Sequence, residues 1–163
     1  MTIRLRSHHL LCVLTFAGYG YSPDFVANFE QIVGRIAAGG EEIEVVEEPD
    51  DVCETLTSAP FCHCRNASVL RRDDCATAAL GDLLRQSIRP GSRVRLSHDR
   101  LSVMREAFAR GTIREACAGC QWTTVCDAIA RDDFHGTRLL QFERREAPSG
   151  AEPVLYRGID IPC

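Results

Sequence analysis

The stretch SPDFVANFEQIVGRIA, residues 22–37, predicts the most regular element of the chain. Ser22 followed by Pro23 is the preferred order of a helix N-cap and a first helical residue. The apolar side chains after them recur at helical spacing and share one face: Phe25, Val26, Phe29, Ile32, Val33 and Ile36. Gly39 and Gly40 end the pattern. We therefore predict an amphipathic helix that packs this face against a core.

Three other segments predict helices. A short one begins with Ser7 as its N-cap and is broken by Gly18. A long one runs from about Ala67 to Gln86. The last has apolar residues at helical spacing and stops at Gly111: Leu101, Met104 and Phe108. The chain is therefore expected to be rich in helix.

Two segments predict strands. Apolar and acidic residues alternate over Glu42–Glu47, and a short Arg-rich strand is expected around Val94 and Leu96. Because a helix separates the two strands, they suit a small β-α-β unit. The predicted fold is α+β, or α/β, with a sheet of two or three strands. We expect one domain over residues 1–142 and a linker and tail over residues 143–163.

The basic residues limit the chemistry. All 19 of them are Arg, and because the chain has no Lys, Schiff-base catalysis and the lysine of phosphate-binding loops are excluded. The net charge is -4, but Arg is in excess between Arg71 and Arg114. Such a segment could bind nucleic acid, although solvated helix surfaces paired with nearby acids explain it better. A nucleic-acid partner is therefore not favoured.

The apolar runs argue against membrane insertion and export. None approaches the roughly 18 residues needed to span a bilayer. The run Leu10–Ala17 follows Arg4 and Arg6, as in a signal peptide, but His8 and His9 interrupt the pattern and no small-residue cleavage site follows. We therefore predict a cytoplasmic protein.

The cysteines are the main functional signal. Nine of them, an odd number, in a reducing compartment predict metal or redox chemistry rather than complete disulfide pairing. Three form the pattern Cys117-x2-Cys120-x5-Cys126, whose spacing is typical of a metal site. Trp122 lies between them and could shield the site from water. We predict that these three thiolates bind a metal.

Local helix signals support this site. A capping box that begins at Thr112 predicts a helical turn that ends near Cys117. Thr123 or Thr124 could cap the next helix, which would put Cys126 in its first turn. There the helix dipole favours the thiolate, the form that binds metal.

Three local thiolates are one short of a closed site, so a fourth ligand is expected from the loop that carries Cys53, Cys62 and Cys64. Cys62 and Cys64 would point apart on an extended chain, so one of the two is expected to bind. Zinc would accept four thiolates, or three with His63. A [4Fe–4S] cluster takes four cysteines, and three local ligands with one remote ligand suit it. Spacing leaves both open, and we favour the cluster, with Cys53 or Cys64 as fourth ligand.

A second candidate site lies at the start of the chain. His8 or His9 shares a helix face with Cys12, and either pair could hold a metal or act as base and nucleophile. Alternatively, the histidines cap the helix while Cys12 is a small core residue. We expect Cys75 to pack in the core and Asp73-Asp74 to lie on a solvated helix face.

Four motifs carry a resemblance to a known family: Arg6-x-His8-His9-Leu-Leu-Cys12, Gly20-Tyr-Ser-Pro-x-Phe25, Asp51-Val-Cys53 and Cys117-x2-Cys120-x-Trp122-x3-Cys126. With them in order, residues 4–142 resemble a bacterial and archaeal family catalogued as domain of unknown function 1284. The resemblance implies binding of an iron–sulfur cluster through the cysteines. It also implies a role near the metal for His8, His9 and Cys12. It implies no particular activity.

Three functions follow as hypotheses. The leading one is an iron–sulfur protein for electron transfer, redox sensing or catalysis, acting with a redox partner or a small-molecule substrate. The second is a zinc-stabilised binding module that could contact nucleic acid. The third is a thiol enzyme in which Cys12 attacks an electrophile with His8 or His9 as base. Whether the chain is an enzyme is therefore open at this point.

Overall fold

The computed structural model describes residues 2–57 and 64–143, with side chains as far as Leu140. In this part of the chain the strands are β1 (Ile3–Leu5), β2 (Ile43–Val45) and β3 (Arg93–Val94). The helices are α1 (His9–Thr15), α2 (Pro23–Ala37), α3 (Ala67–Leu84), α4 (His98–Ala109), α5 (Thr123–Arg131) and α6 (Arg138–Glu143). Short 3₁₀ helices span Glu54–Leu56 and Glu115–Cys117. The fold is a helix-rich α+β domain, which confirms the predicted class.

The sheet is mixed and has the strand order β1-β2-β3. β1 is parallel to β2, with Ile3 opposite Ile43, and α1 and α2 connect the two strands in a β-α-β unit. β2 is antiparallel to β3, with Ile43 opposite Val94. The two strands predicted from the sequence are therefore neighbours but do not form the β-α-β unit, and Leu96 lies beyond β3. β1 was not predicted.

Helix α2 has the predicted start and the predicted apolar face. The Ser22 hydroxyl accepts a hydrogen bond from the Phe25 N–H at 3.1 Å. Most of the apolar face is buried in the core, and Val26 is half-buried. The buried residues of the helix are Phe25, Phe29, Ile32, Val33 and Ile36.

Replacing Ser22 with Ala is expected to lower the free energy of unfolding by about 1 kcal/mol, because an N–H at the start of α2 then loses its acceptor. Urea unfolding followed by circular dichroism would measure this change. Ser102→Ala, on the exposed side of α4, is the control and should change stability by less than about 0.5 kcal/mol. Equal effects of the two substitutions would contradict the capping role.

Helix α1 lies in the middle of the core, since Leu10, Leu11, Val13 and Leu14 are all buried. The prediction that Ser7 caps this helix is wrong: His8 occupies the N-cap position without a side-chain cap. The Ser7 hydroxyl instead accepts a hydrogen bond from the Thr77 hydroxyl of α3 at 2.8 Å. This contact fixes the start of α1 against α3.

Two further predictions concern the C-terminal tail and membrane-spanning helices. Glu143, where the predicted tail begins, is the last residue of α6, and residues 144–163 lie outside the described part. Within the described residues, every helix is too short or too polar to cross a lipid bilayer.

Candidate metal centre

Six cysteines line a single cavity of about 140 Å³: Cys12, Cys53, Cys64, Cys117, Cys120 and Cys126. The structure therefore brings all five predicted cysteine ligands, together with Cys12, to one space. None of the seven cysteines in the described residues forms a disulfide. Cys75 is not among the cavity residues and packs half-buried against the core, as predicted. Cys62 and His63 lie outside the described residues.

The turn that carries Cys117 and Cys120 is held by backbone and side-chain bonds. The Cys120 N–H donates to the Cys117 carbonyl at 3.0 Å, and Gly119 between them has a positive φ of 70°. The Thr123 hydroxyl is within hydrogen-bonding distance of the carbonyls of Cys117 (3.0 Å) and Cys120 (2.7 Å). Arg72 of α3 donates to the Gly119 carbonyl at 3.0 Å. The two thiols therefore lie on a fixed turn.

The predicted caps beside this turn are wrong. The Thr112 hydroxyl donates to the Ala107 carbonyl at 3.1 Å, so it does not cap the 3₁₀ turn that ends at Cys117. Trp122, without a side-chain cap, occupies the N-cap position of α5, because Thr123 uses its hydroxyl on the cysteine turn. In both cases the threonine hydroxyl donates to a carbonyl of the preceding segment, which competes with capping.

Cys126 links α5 to α1. Its N–H donates to the Trp122 carbonyl at 2.9 Å, so it closes the first turn of α5 as predicted. Its sulfur lies 3.2 Å from the Thr15 hydroxyl of α1. Burial raises the pKa of the Cys126 thiol, although the contact with Thr15 opposes the shift.

Cys12 of α1 lies among the three thiols of the C-terminal segment. Burial raises the pKa of Cys12 well above its ordinary value, and the thiols of Cys126, Cys120 and Cys117 raise it further, in that order. Burial also raises the pKa of Cys117, against the effect of the Arg114 guanidinium. Cys12 and Cys117 are therefore neutral thiols in the metal-free protein, and a bound cation would be needed to stabilise them as thiolates.

Asp50 organises the other side of the cavity. Its side chain is fully buried and accepts hydrogen bonds from the N–H groups of Arg6 at 2.6 Å and Cys53 at 3.1 Å. His9 Nδ1 lies 2.6 Å from the same carboxylate. Burial alone would raise the pKa of Asp50, but His9 and these hydrogen bonds lower it to about 2. Asp50 was not predicted as a site residue, because in the sequence it stands at the end of an acidic segment.

Cys53 and Cys64 lie next to Asp50, and both are buried. Burial raises the pKa of Cys53, and the Asp50 carboxylate and the Cys64 thiol raise it further, against the effect of a backbone hydrogen bond at Asp50. The ligand atoms of His9, Asp50 and Cys53 all lie within 4.8 Å of one another. These three residues form a group that could hold a metal ion.

His8 forms a second histidine–carboxylate pair. Its Nδ1 lies 2.6 Å from Asp73 Oδ1, while Arg6 Nε donates to Asp73 Oδ2 at 2.7 Å. Burial and the neighbouring His9 lower the pKa of His8 to about 4, so its neutral ring donates the Nδ1 proton to Asp73. The prediction that Asp73 lies on a solvated helix face is therefore wrong. Asp73 is recognised as a site residue only from its contacts with Arg6 and His8, which are distant in the sequence.

The predicted site residues thus fall into two groups that share the cavity. One contains Cys12, Cys117, Cys120 and Cys126, and the other contains Cys53, Cys64, His9 and Asp50. His8 also lines the cavity.

Comparison with known proteins gives one match. No curated protein and no solved structure matches the chain. A family model described as "Protein of unknown function (DUF1284)" matches residues 20–126. The match includes Cys53, Cys64, Cys117, Cys120 and Cys126 and begins after the motif Arg6–Cys12. It covers more than half of the chain, and the chain therefore belongs to the domain of unknown function 1284 family.

Proposed function

We propose that this protein carries an iron–sulfur cluster in the cavity, bound by Cys117, Cys120, Cys126 and Cys12. The observation that carries the proposal is the group of four half-buried cysteines, which come from a fixed turn, from α5 and from α1 and line one cavity. Four cysteine thiolates are the usual ligand set of such a cluster. When bound, the cluster would supply one-electron redox chemistry or an iron site for a substrate.

The spacing of the thiols favours a cluster over a single zinc ion. Four thiolates around one zinc at Zn–S distances of about 2.3 Å would have their sulfurs roughly 3.8 Å apart, as tetrahedral geometry requires. Among the described residues, the ligand atoms of His9, Asp50 and Cys53 all lie within 4.8 Å of one another. No three of the four proposed cluster ligands lie that close together. Wider spacing suits a cluster, because each thiolate binds a different iron.

The surroundings of the four thiols also fit a cluster. Four thiolates give a bound cluster negative charge, and Arg114 and Arg72 both act on Cys117 as positive charges. Trp122 and Tyr21 line the cavity, and their rings pack edge to face at 5.5 Å. Aromatic shielding and nearby cations both tune the reduction potential of such clusters.

The choice of Cys12 as fourth ligand rests on its neighbours. The pKa of Cys12 is raised by three neighbouring thiols, those of Cys126, Cys120 and Cys117. The groups that raise the pKa of Cys53 are instead Asp50 and Cys64. We therefore place Cys12 ahead of Cys53 and Cys64, the ligands predicted from sequence.

Burial argues against the thiol-enzyme hypothesis. A nucleophilic cysteine needs a lowered pKa and access to its substrate, whereas burial raises the pKa of Cys12. We propose that a redox partner or a small molecule reaches the cavity instead, and that the protein works in a reducing compartment such as the cytoplasm.

The cluster can be tested on protein purified without oxygen. We expect brown protein that contains iron and acid-labile sulfide and bleaches in air. Cys120→Ser should lose most of both, whereas Cys75→Ser, which changes a half-buried cysteine outside the cavity, should keep them. Colourless wild-type protein with zinc and no sulfide would overturn the proposal.

A further inference from the structure

We infer that the same cavity holds a second metal ion, of the zinc class, bound by His9, Cys53 and Cys64. This site is separate from the proposed cluster and rests on that proposal in one respect: the cluster takes Cys12, and not Cys53 or Cys64, as its fourth ligand. It uses the thiols that the cluster leaves unused.

The first argument is proximity. Ligand atoms of His9, Asp50 and Cys53 lie within 4.8 Å of one another, and Cys64 is buried, lines the same cavity and raises the pKa of Cys53. A single ion with bonds of about 2.0–2.3 Å draws its ligand atoms to less than about 4.6 Å apart. The proposed ligands therefore come from residues that lie close together, and side-chain movement would bring them to one ion.

The second argument is the orientation of His9. Its Nδ1 lies 2.6 Å from the Asp50 carboxylate. Within residues 2–57 and 64–143, its Nε2 has no hydrogen-bond partner. Because His9 lines the cavity, this nitrogen is the ring atom left to bind a metal. Metal-binding histidines usually donate their other ring N–H to a carboxylate in this way, which fixes the tautomer and the ring orientation.

Asp50 is therefore assigned as a positioning residue rather than a ligand. Its carboxylate already accepts bonds from the N–H groups of Arg6 and Cys53 and contacts His9. If Asp50 only capped the turn at Cys53, the hydrogen bond from the Cys53 N–H would be enough. A metal site would also use the contact between Asp50 and His9, which orients the ring, and the second thiol nearby, that of Cys64.

The charges are also balanced. Two thiolates neutralise a divalent cation, and an imidazole that binds a metal through one nitrogen and keeps its other N–H adds no charge. Such a set of two cysteines and one histidine leaves the fourth position of a tetrahedral zinc open to water or to a small oxygen- or sulfur-containing ligand. The His8 ring lies 4.2 Å from the His9 ring and also lines the cavity, so it would border this open position.

Zinc absorption spectroscopy on oxygen-free wild-type protein tests the inference, because it detects zinc separately from iron. We expect one zinc per chain with two sulfurs at about 2.3 Å and nitrogen or oxygen at about 2.0–2.1 Å. A shell of four sulfurs, or protein that takes up no zinc when supplied with it, would overturn the assignment.

Substitutions identify the ligands. In competition with a zinc chelator, His9→Gln should weaken zinc binding at least tenfold, while His135→Gln, at an exposed histidine, should not change it. Cys53→Ser should behave like His9→Gln, with Cys75→Ser as its control. Circular dichroism would verify that each variant is folded. Unchanged zinc affinity in folded His9→Gln protein would contradict the site.

The same samples separate this site from the proposed cluster. His9→Gln should keep iron and sulfide, and Cys120→Ser should keep zinc. If wild-type protein contained zinc in the expected shell but no sulfide, only the cluster proposal would fail. Loss of zinc binding in Cys120→Ser, but not in His9→Gln, would overturn the second site.

Discussion

Replacing Arg6 with Ala is expected to lower the free energy of unfolding by about 3–5 kcal/mol. The Arg6 side chain is 1% exposed, so its charge is removed from water. Its Nε donates to Asp73 at 2.7 Å and its Nη1 to the Cys64 carbonyl at 2.6 Å. Without Arg6, a largely buried carboxylate and a carbonyl lose their donor and a cavity forms. This loss is a large part of the roughly 5–15 kcal/mol that stabilises a typical domain.

Arg4→Ala is the matched control, because Arg4 is the exposed residue of the same strand. Its backbone N–H, which donates to Asp51, is kept in the variant. Urea unfolding should show a change of less than about 0.5 kcal/mol for Arg4→Ala. A similarly small change for Arg6→Ala would show that the buried ion pair with Asp73 does not hold β1 against α3.

The parts of the fold that the sequence predicted are those with local signals. Helix α2 has a cap, a proline and an apolar face within its own residues, and α3 and α4 show similar periodicity. The cysteine turn was also predicted, because the spacing of Cys117 and Cys120 is itself a local pattern.

Strand β1 had no such signal. It has three residues, Ile3–Leu5, and its neighbours Arg4 and Arg6 read as a basic start of the chain. What makes it a strand is its pairing with β2, about 40 residues further along, where Ile3 lies opposite Ile43. A strand this short forms because of its partner and not because of its own periodicity.

The carboxylates of the site were missed for a related reason. Asp residues are mostly exposed in folded proteins, so Asp73 was predicted to lie on a solvated helix face and no role was predicted for Asp50. Their partners lie far away in the sequence, at separations of 41 residues for His9–Asp50 and 65 for His8–Asp73. The adjacent histidines were the one available hint, since two largely buried imidazoles each need a polar partner.

Removing the metal is expected to have the largest effect on stability. The segment from Glu115 to Arg131 contains a 3₁₀ turn and the nine-residue helix α5, whose buried side chain is Ile129. A helix this short is not stable alone, and one buried residue contributes little packing. With the proposed cluster, Cys117, Cys120 and Cys126 would be tied to Cys12 in the core. We therefore expect chelation to lower the free energy of unfolding by on the order of 5 kcal/mol or more.

Amide hydrogen exchange would locate this loss, since it should be greatest in α5 and the cysteine turn, whereas α2 keeps its protection. Equal loss of protection in both helices would contradict the local role of the metal.

Single substitutions then decide which thiol is the fourth ligand. If Cys12 holds the cluster, Cys12→Ser should lose sulfide and reproduce the loss of protection in α5, while Cys53→Ser keeps both. Cys75→Ser controls for the loss of a thiol from a helix that packs on the core. The opposite result, with Cys53→Ser losing the cluster and Cys12→Ser keeping it, would support the ligand predicted from sequence. The two thiol groups would then belong to one centre, because the cluster would join α5 to the turn after Asp50 rather than to α1.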